Sequence, residues 1–177
     1  AKKLFNSSSD LTITKLKTWL NENFCTDKYI GIGWAYKNIK PKIMVETFIG
    51  NNGIIPEDYK FFCFSERTEF VLISFDRFGL HKEKHFNRQF IPFDLWNGAS
   101  QQKEKIRKPI NYDKMLELAD KISKNFDFVR VDLYNVNGKI YFGELTPYPG
   151  GGRARFIPKR YDYLFGKNWN FSEKIHW

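Results

Sequence analysis

The sequence is poor in the residues that build disulfide frameworks and imidazole metal centres. Among its 177 residues it has two cysteines, Cys25 and Cys63, and three histidines. Two cysteines exclude a multi-disulfide framework and a four-cysteine zinc site, and they favour a reduced, cytosolic setting. A histidine-rich metal centre is disfavoured because the chain has only three histidines. We expect both cysteines to be packing residues, because neither has neighbours that would activate a thiol.

Long hydrophobic runs are also absent. The longest apolar run, residues 70–75, is far shorter than a bilayer-crossing helix, which needs about 20 residues. The first residues lack the apolar stretch of a secretory signal. With 42% hydrophobic and 28% charged residues, the composition is that of an ordinary globular protein. We expect a cytoplasmic protein with at most peripheral contact with the inner face of a membrane.

Basic and aromatic residues, in contrast, are abundant. Lysine and arginine total 29 against 20 acidic residues, which gives a net charge of +9, and aromatic residues form 18% of the chain. A basic surface indicates an anionic partner such as a nucleotide, a nucleic acid, an acidic glycan or a membrane headgroup. The aromatic residues indicate a bulky core and do not choose among these partners.

Periodicity predicts an α+β fold, with a mostly antiparallel sheet and helices packed on one face. Two amphipathic helices are predicted, over 13–24 and from 112 to about 124. The predicted strands are 43–49, 59–64, 70–76, 126–134 and 139–146. Residues 81–108 read as a strand plus a solvated basic loop, and the tail beyond 152 reads as irregular. Short connections between most strands favour antiparallel pairing.

The hairpin formed by 126–134 and 139–146 is the most informative segment. A two-residue turn at 137–138 would place Glu144 on the face opposite Asp132. A three-residue loop over 136–138 places Asp132 and Glu144 on one face as diagonal neighbours, with Arg130 directly across from Glu144. We choose the second register, because the first would put a carboxylate among the buried valines.

Two carboxylates on one face of a hairpin have two interpretations. Diagonal Cβ atoms lie about 7–8 Å apart, so both side chains can reach one hard cation such as Mg²⁺. The alternative is a charged surface ladder of Arg130, Glu144 and Lys139 that only solvates the sheet. The residues alone leave both open.

The amino-acid sequence of this hairpin and of the segments before it resembles that of a known family. The segments 130–132 and 143–150 are similar to the magnesium-binding hairpin of ATP-grasp enzymes. The stretches 34–39, 43–46, 57–64 and 128–149 resemble the TupA-like branch, which acts in bacterial cell-surface and capsular polysaccharide synthesis. Together they cover most of residues 34–165 in the family's order.

The resemblance implies an ATP-dependent carboxylate–amine ligase that uses Mg²⁺ and an acyl-phosphate intermediate. The implied metal ligands are Asp132, Glu144 and Thr146. Arg130 and Lys60 are the implied catalytic residues, with Arg130 facing the transferred phosphoryl group. The implied ATP-binding residues are Glu46, Thr47, Phe48, Asp58, Lys60 and Arg77.

A glycine-rich loop at 150–152 follows the hairpin and precedes Arg153 and Arg155. Backbone N–H groups and two guanidinium groups can together bind a phosphate or a carboxylate. We therefore expect an anion-binding or substrate-binding loop here. An anionic glycan or an amino acid would be its substrate.

The family usually holds ATP between two lobes, and the smaller lobe comes first in the chain. Residues 1–177 read as a single ATP-grasp-like domain that lacks this upstream lobe. We expect either a fragment, with a partner chain or a preceding lobe completing it, or a natural half-enzyme.

Two other functions remain open. One is a catalytically degenerate ATP-grasp lobe with a binding or scaffolding role. The other is a basic, aromatic module for single-stranded nucleic acid. Nucleic acid is the less favoured partner, because residues 138–143 do not match the RNP1 pattern of the commonest such module.

Overall fold

The computed structural model describes residues 13–23, 38, 40, 42–50, 54–76, 79–96, 98–153 and 155–169. The chain divides into two compact units, residues 1–48 and residues 49–177. None of the described helices is both long enough and apolar enough to cross a membrane.

The first unit contains helix α1, Ile13–Asn23. This helix confirms the one predicted over 13–24. The strand predicted over 43–49 is wrong, because the described segment 42–50 has no regular secondary structure. Four of its five apolar side chains are exposed, with Val45 at 91%. A β-prone sequence becomes a strand only when it finds a partner strand and a surface to cover.

The second unit is built on one six-stranded sheet, which confirms the predicted α+β class and its mostly antiparallel pairing. The strands are β1 Asp58–Phe64, β2 Arg67–Phe75, β3 Lys82–Asn87, β4 Ser100–Gln101, β5 Phe128–Val136 and β6 Lys139–Thr146. Their spatial order is β4-β3-β2-β1-β5-β6, and only the β3–β4 pair is parallel. β1 and β5 therefore lie in the interior of the sheet, and β6 forms one edge.

Alternation along the strands divides the core into two layers. Odd-numbered residues of β1, β2 and β5, such as Phe61 and Val131, pack with helix α2, Tyr112–Ile122. Even-numbered residues of β1 and β2, such as Phe62 and Phe70, pack with helix α3, Arg160–Gly166. The sequence predicted that the helices pack on one face of the sheet, and α2 occupies that face. Helix α3, in the tail predicted to be irregular, lies against the opposite face.

The β5–β6 hairpin reaches the predicted arrangement by another route, so the three-residue loop is wrong. Val136 pairs with Lys139 across a two-residue turn in which Asn137 has φ 51° and Gly138 has φ 77°. These are the left-handed conformations of a type I′ turn. A bulge at Gly143 then shifts the register by one residue, and Asp132 pairs directly with Glu144.

Because of the bulge, the residues around Asp132 and Glu144 pair differently from the prediction. Asp132 and Glu144 share a face, as predicted, but as directly opposed residues and not as diagonal ones. Arg130 pairs with Thr146 and not with Glu144. One inserted residue moves every later side chain of β6 to the other face, because the strand repeats every two residues.

Gly143 is required at the bulge because two groups crowd its Cα. A Cβ atom there would lie 2.9 Å from the carbonyl oxygen of Asp132 and 3.0 Å from the ring of Tyr134. We expect Gly143→Ala to lower the free energy of unfolding by about 1–3 kcal/mol, since the backbone of β5 must shift. Chemical denaturation measures this change. Gly166→Ala is the matched control, because a Cβ there meets nothing within 4 Å; an equal loss in both variants would contradict the crowding argument.

Candidate functional site

Six side chains from three neighbouring strands meet on the α3-side face of the sheet. The register aligns Lys60 of β1, Asp132 of β5 and Glu144 of β6 in one row. The remaining three, which lie one pleat to either side of this row on the same face, are Asp58, Arg130 and Thr146. We call these six residues the hairpin cluster. All six were predicted as site residues from the sequence.

Lys60 lies at the buried end of the hairpin cluster, between two aspartates. Its ammonium nitrogen donates to Oδ2 of Asp58 at 2.5 Å and to Oδ2 of Asp132 at 2.7 Å. Asp58 is 2% exposed, Lys60 7% and Asp132 1%. A buried lysine is tolerated only with such charge partners. Lys60 therefore fixes the position of Asp132.

Arg130 links Asp132 to the edge strand. Its Nε donates to Oδ1 of Asp132 at 2.6 Å, and its Nη2 donates to Oδ2 of Asp132 at 2.7 Å. The same Nη2 donates to Oε1 of Glu144 and to Oγ1 of Thr146, each at 3.0 Å. The Thr146 hydroxyl in turn donates to Oε1 of Glu144 at 3.1 Å.

Burial and charge act against each other at Arg130. Burial favours a lower pKa for its guanidinium, but the hydrogen bonds to Asp132 and the charges of Asp132 and Glu144 outweigh this effect. The net result is a raised pKa, so the group stays cationic. The cluster carries three carboxylates and two cations, a formal charge of −1, although the whole chain carries +9.

The oxygens of Asp132, Glu144 and Thr146 are of the kind that bind a magnesium ion, and Arg130 contacts all three residues in this structure. Side-chain exposure rises from 2% at Asp132 to 35% at Glu144, so the oxygens of the edge strand face outwards. Mg²⁺ is usually held by one or two carboxylates together with substrate phosphates and water. Asp132, Glu144 and the Thr146 hydroxyl supply that set. No group of three or more His, Cys, Asp or Glu residues in the described part of the chain is arranged as an all-protein metal site.

The other predicted site residues lie outside the hairpin cluster. Glu46, Thr47 and Phe48 are exposed residues of the first unit. Arg77 lies outside the described residues. Arg153 and Arg155 are exposed and make no ion pair with a described residue. They follow three glycines with φ between 60° and 73°, a left-handed turn that only glycine adopts without strain.

The sequence reading missed two residues on the same face. The segment predicted as a basic loop contains β3, whose Glu83 and His85 are 8% and 4% exposed. His85 aligns through Leu72 with Lys60. Strand alternation could have identified Glu83 and His85 as facing one side of the sheet. The lysines on both sides of Glu83 instead made the segment look like a solvated loop.

Cys63 behaves as predicted for a packing residue. It is fully buried, and burial raises the pKa of its thiol to about 11. The thiol is therefore not available as a nucleophile at neutral pH. Cys25 lies outside the described residues.

Comparison with known proteins identifies the family. A model of the TupA-like ATP-grasp family matches residues 3–170, which include the entire sheet and the hairpin cluster. Comparisons with curated proteins and with solved structures gave no significant match. The match confirms the resemblance seen in the sequence and adds the general expectation of this fold, which is nucleotide binding with ATP and Mg²⁺. The chain therefore belongs to the TupA-like ATP-grasp family.

Proposed function

We propose that this chain is an ATP- and Mg²⁺-dependent carboxylate–amine ligase domain that acts in cell-surface polysaccharide synthesis on the cytoplasmic side of the membrane. The observation that supports it best is the hairpin cluster, in which the buried Asp132, the partly exposed Glu144 and the Thr146 hydroxyl converge beside an arginine. In this reaction the γ-phosphoryl group of ATP passes to a carboxylate, giving ADP and an acyl phosphate. An amine then displaces phosphate and loses a proton.

The outer residues of the cluster carry the direct roles. Asp132, Glu144 and Thr146 would hold Mg²⁺, which would neutralise negative charge on the phosphates. Arg130 contacts the transferred phosphoryl group, where a fixed cation stabilises the developing charge. Arg130 already contacts Asp132 and Glu144 in this structure, so its cation lies beside the proposed metal ligands.

The inner residues act through the outer ones. The resemblance implied that Lys60 and Asp58 bind ATP, but both are more than nine-tenths buried and bonded to each other. We therefore propose positioning roles for them, with Lys60 holding Asp132. Glu46, Thr47 and Phe48 stay proposed ATP-binding residues, although the strand predicted for them is wrong. The exposed Arg153 and Arg155 remain the proposed anchors for an anionic glycan or amino-acid substrate.

The charge of the cluster bears on the nucleic-acid alternative. Single-stranded nucleic acid requires a positive groove with aromatic platforms. The cluster instead carries a net negative charge and repels phosphates unless a metal ion accompanies them. A phosphate ligand at this face is therefore expected to bind as its magnesium complex.

Thermal unfolding with ATP and Mg²⁺ tests the proposal. At a hundredfold excess of ligand over its Kd, binding to the folded chain stabilises it by about 2.7 kcal/mol. We expect this stabilisation in the native chain and its loss in the double variant Asp132→Asn, Glu144→Gln. Formation of ADP in the presence of a carboxylate and an amine would show turnover.

A matched double variant separates a site effect from a charge effect. Asp113→Asn with Glu117→Gln removes the same charges from the exposed surface of α2 and should keep the stabilisation. Stabilisation by ATP and Mg²⁺ without ADP formation would favour the degenerate binding lobe. Binding of an oligonucleotide with steep salt dependence, and no response to ATP, would favour the nucleic-acid module.

A further inference from the structure

One nitrogen atom of Arg130 lies at the centre of the proposed metal ligands. Nη2 is 2.7 Å from Oδ2 of Asp132, 3.0 Å from Oε1 of Glu144 and 3.0 Å from Oγ1 of Thr146. Each of the three residues proposed to bind Mg²⁺ thus already contacts one cationic atom. The guanidinium occupies the position at which three oxygens converge.

A guanidinium and a metal ion exclude each other at this position. Mg²⁺ would have to approach the same oxygens to about 2.0–2.1 Å. It would then meet Nη2 inside van der Waals contact, and two cations would share one set of oxygens without screening by water. Metal binding by Asp132, Glu144 and Thr146 therefore requires Arg130 to move.

We propose that Arg130 competes with the divalent cation for these three oxygens and so keeps cation affinity low until a nucleotide is present. The phosphates of ATP add oxygen ligands for the cation and offer the displaced guanidinium a new acceptor. Cation and nucleotide binding are thereby coupled through one side chain. The inference rests on the proposed function, because it takes these three oxygens as the cation position.

The surrounding contacts support movement of Arg130 without collapse of the cluster. Lys60 holds Oδ2 of Asp132 independently, at 2.7 Å, so this carboxylate keeps a partner when the arginine leaves. Glu144 and Thr146 belong to edge strand β6, and the Glu144 side chain is 35% exposed, so this side of the guanidinium borders solvent. Departure of Arg130 changes the cluster from −1 to −2, and this change favours a divalent cation.

Manganese binding without nucleotide tests the competition. We expect weak binding of Mn²⁺ by the native chain, measured as loss of the free-ion signal in electron paramagnetic resonance. Arg130→Met removes the charge at similar length and should raise Mn²⁺ affinity by about tenfold or more. Arg130→Lys keeps a cation that opposes the metal ion and should therefore gain clearly less affinity than Arg130→Met. An unchanged affinity in Arg130→Met, or equal affinities in the two variants, would overturn the competition.

Two further variants separate this inference from the proposed function. Arg160→Met is the matched control, because Arg160 also pairs with an aspartate, Asp94, but lies on α3; it should keep the native affinity. Adding Glu144→Gln to Arg130→Met should abolish the gained affinity. If the gain persists, the cation binds elsewhere and the proposed metal site itself is wrong. If Arg130→Met shows no gain while ATP and Mg²⁺ still stabilise the native chain, only the competition is wrong.

The native chain offers a second measurement should Arg130→Met fail to fold. The Nε–H group of Arg130 is bonded to Asp132 at 2.6 Å and gives a distinct nitrogen–proton resonance. ATP with Mg²⁺ should shift this resonance, and Mg²⁺ alone should shift it much less. An unmoved resonance at a concentration of ATP and Mg²⁺ that stabilises the fold would overturn the proposal.

Discussion

Replacing Lys60 with methionine is expected to lower the free energy of unfolding by about 3–5 kcal/mol. Lys60 is 7% exposed and is bonded through one nitrogen to Asp58 and Asp132, which are themselves almost fully buried. Methionine keeps the length of the side chain but leaves two buried carboxylates without their shared ammonium. Equilibrium denaturation by urea, at neutral pH, measures the loss.

Two variants define what the loss means. Lys139→Met makes the same substitution at an exposed position of β6 and should change stability by less than about 0.5 kcal/mol. Adding Asp58→Asn to Lys60→Met removes one of the two buried carboxylates that lost their ammonium partner, and it should recover part of the stability. A loss in Lys60→Met no larger than that in Lys139→Met would show that the buried ion pairs contribute little.

Acidification is expected to destabilise the fold through His85 before most carboxylates are protonated. Burial lowers the pKa of His85 to about 4 in the folded chain, and a hydrogen bond with the backbone of Leu95 opposes this only in part. The unfolded chain has the ordinary value of about 6.5. Because the folded state binds the proton less readily, the stability held above pH 6.5 is lost as the pH falls towards 4. The loss amounts to about 2 kcal/mol at pH 5 and about 3 kcal/mol at pH 4.

Two substitutions isolate this contribution. His85→Phe suits the neighbouring rings of Phe70 and Phe93, and His85→Gln keeps a polar group that does not titrate. In both variants the difference in unfolding free energy between pH 7 and pH 5 should fall by about 2 kcal/mol relative to the native chain. A full native pH slope in both variants would show that His85 does not cause it.

The sequence predicted local elements well where periodicity was long and regular. The apolar spacing over α1 and α2 and the dense β-branched and aromatic runs of β1, β2, β5 and β6 each identify one element. The strand predicted at 43–49 and the missed helix α3 share one cause. Both depend on what lies beside them: no described strand pairs with 42–50, and the seven residues of α3 are helical because Tyr161 and Phe165 pack against the sheet. Local sequence predicts neither the partner strand that 42–50 would need nor the sheet face that α3 covers.

The residues of the hairpin cluster could be named from the sequence. Strand alternation pointed to Arg130, Asp132 and Glu144, and the resemblance to the ATP-grasp family added Asp58, Lys60 and Thr146. What those residues contact was decided by the tertiary structure. A one-residue bulge at Gly143, and not the length of the turn, put Glu144 opposite Asp132. The pairing of β1 with β5 buried Lys60 between two aspartates that are distant along the chain. Face and residue type follow from short-range pattern, whereas register, burial and the choice of charge partner follow from how separated strands meet.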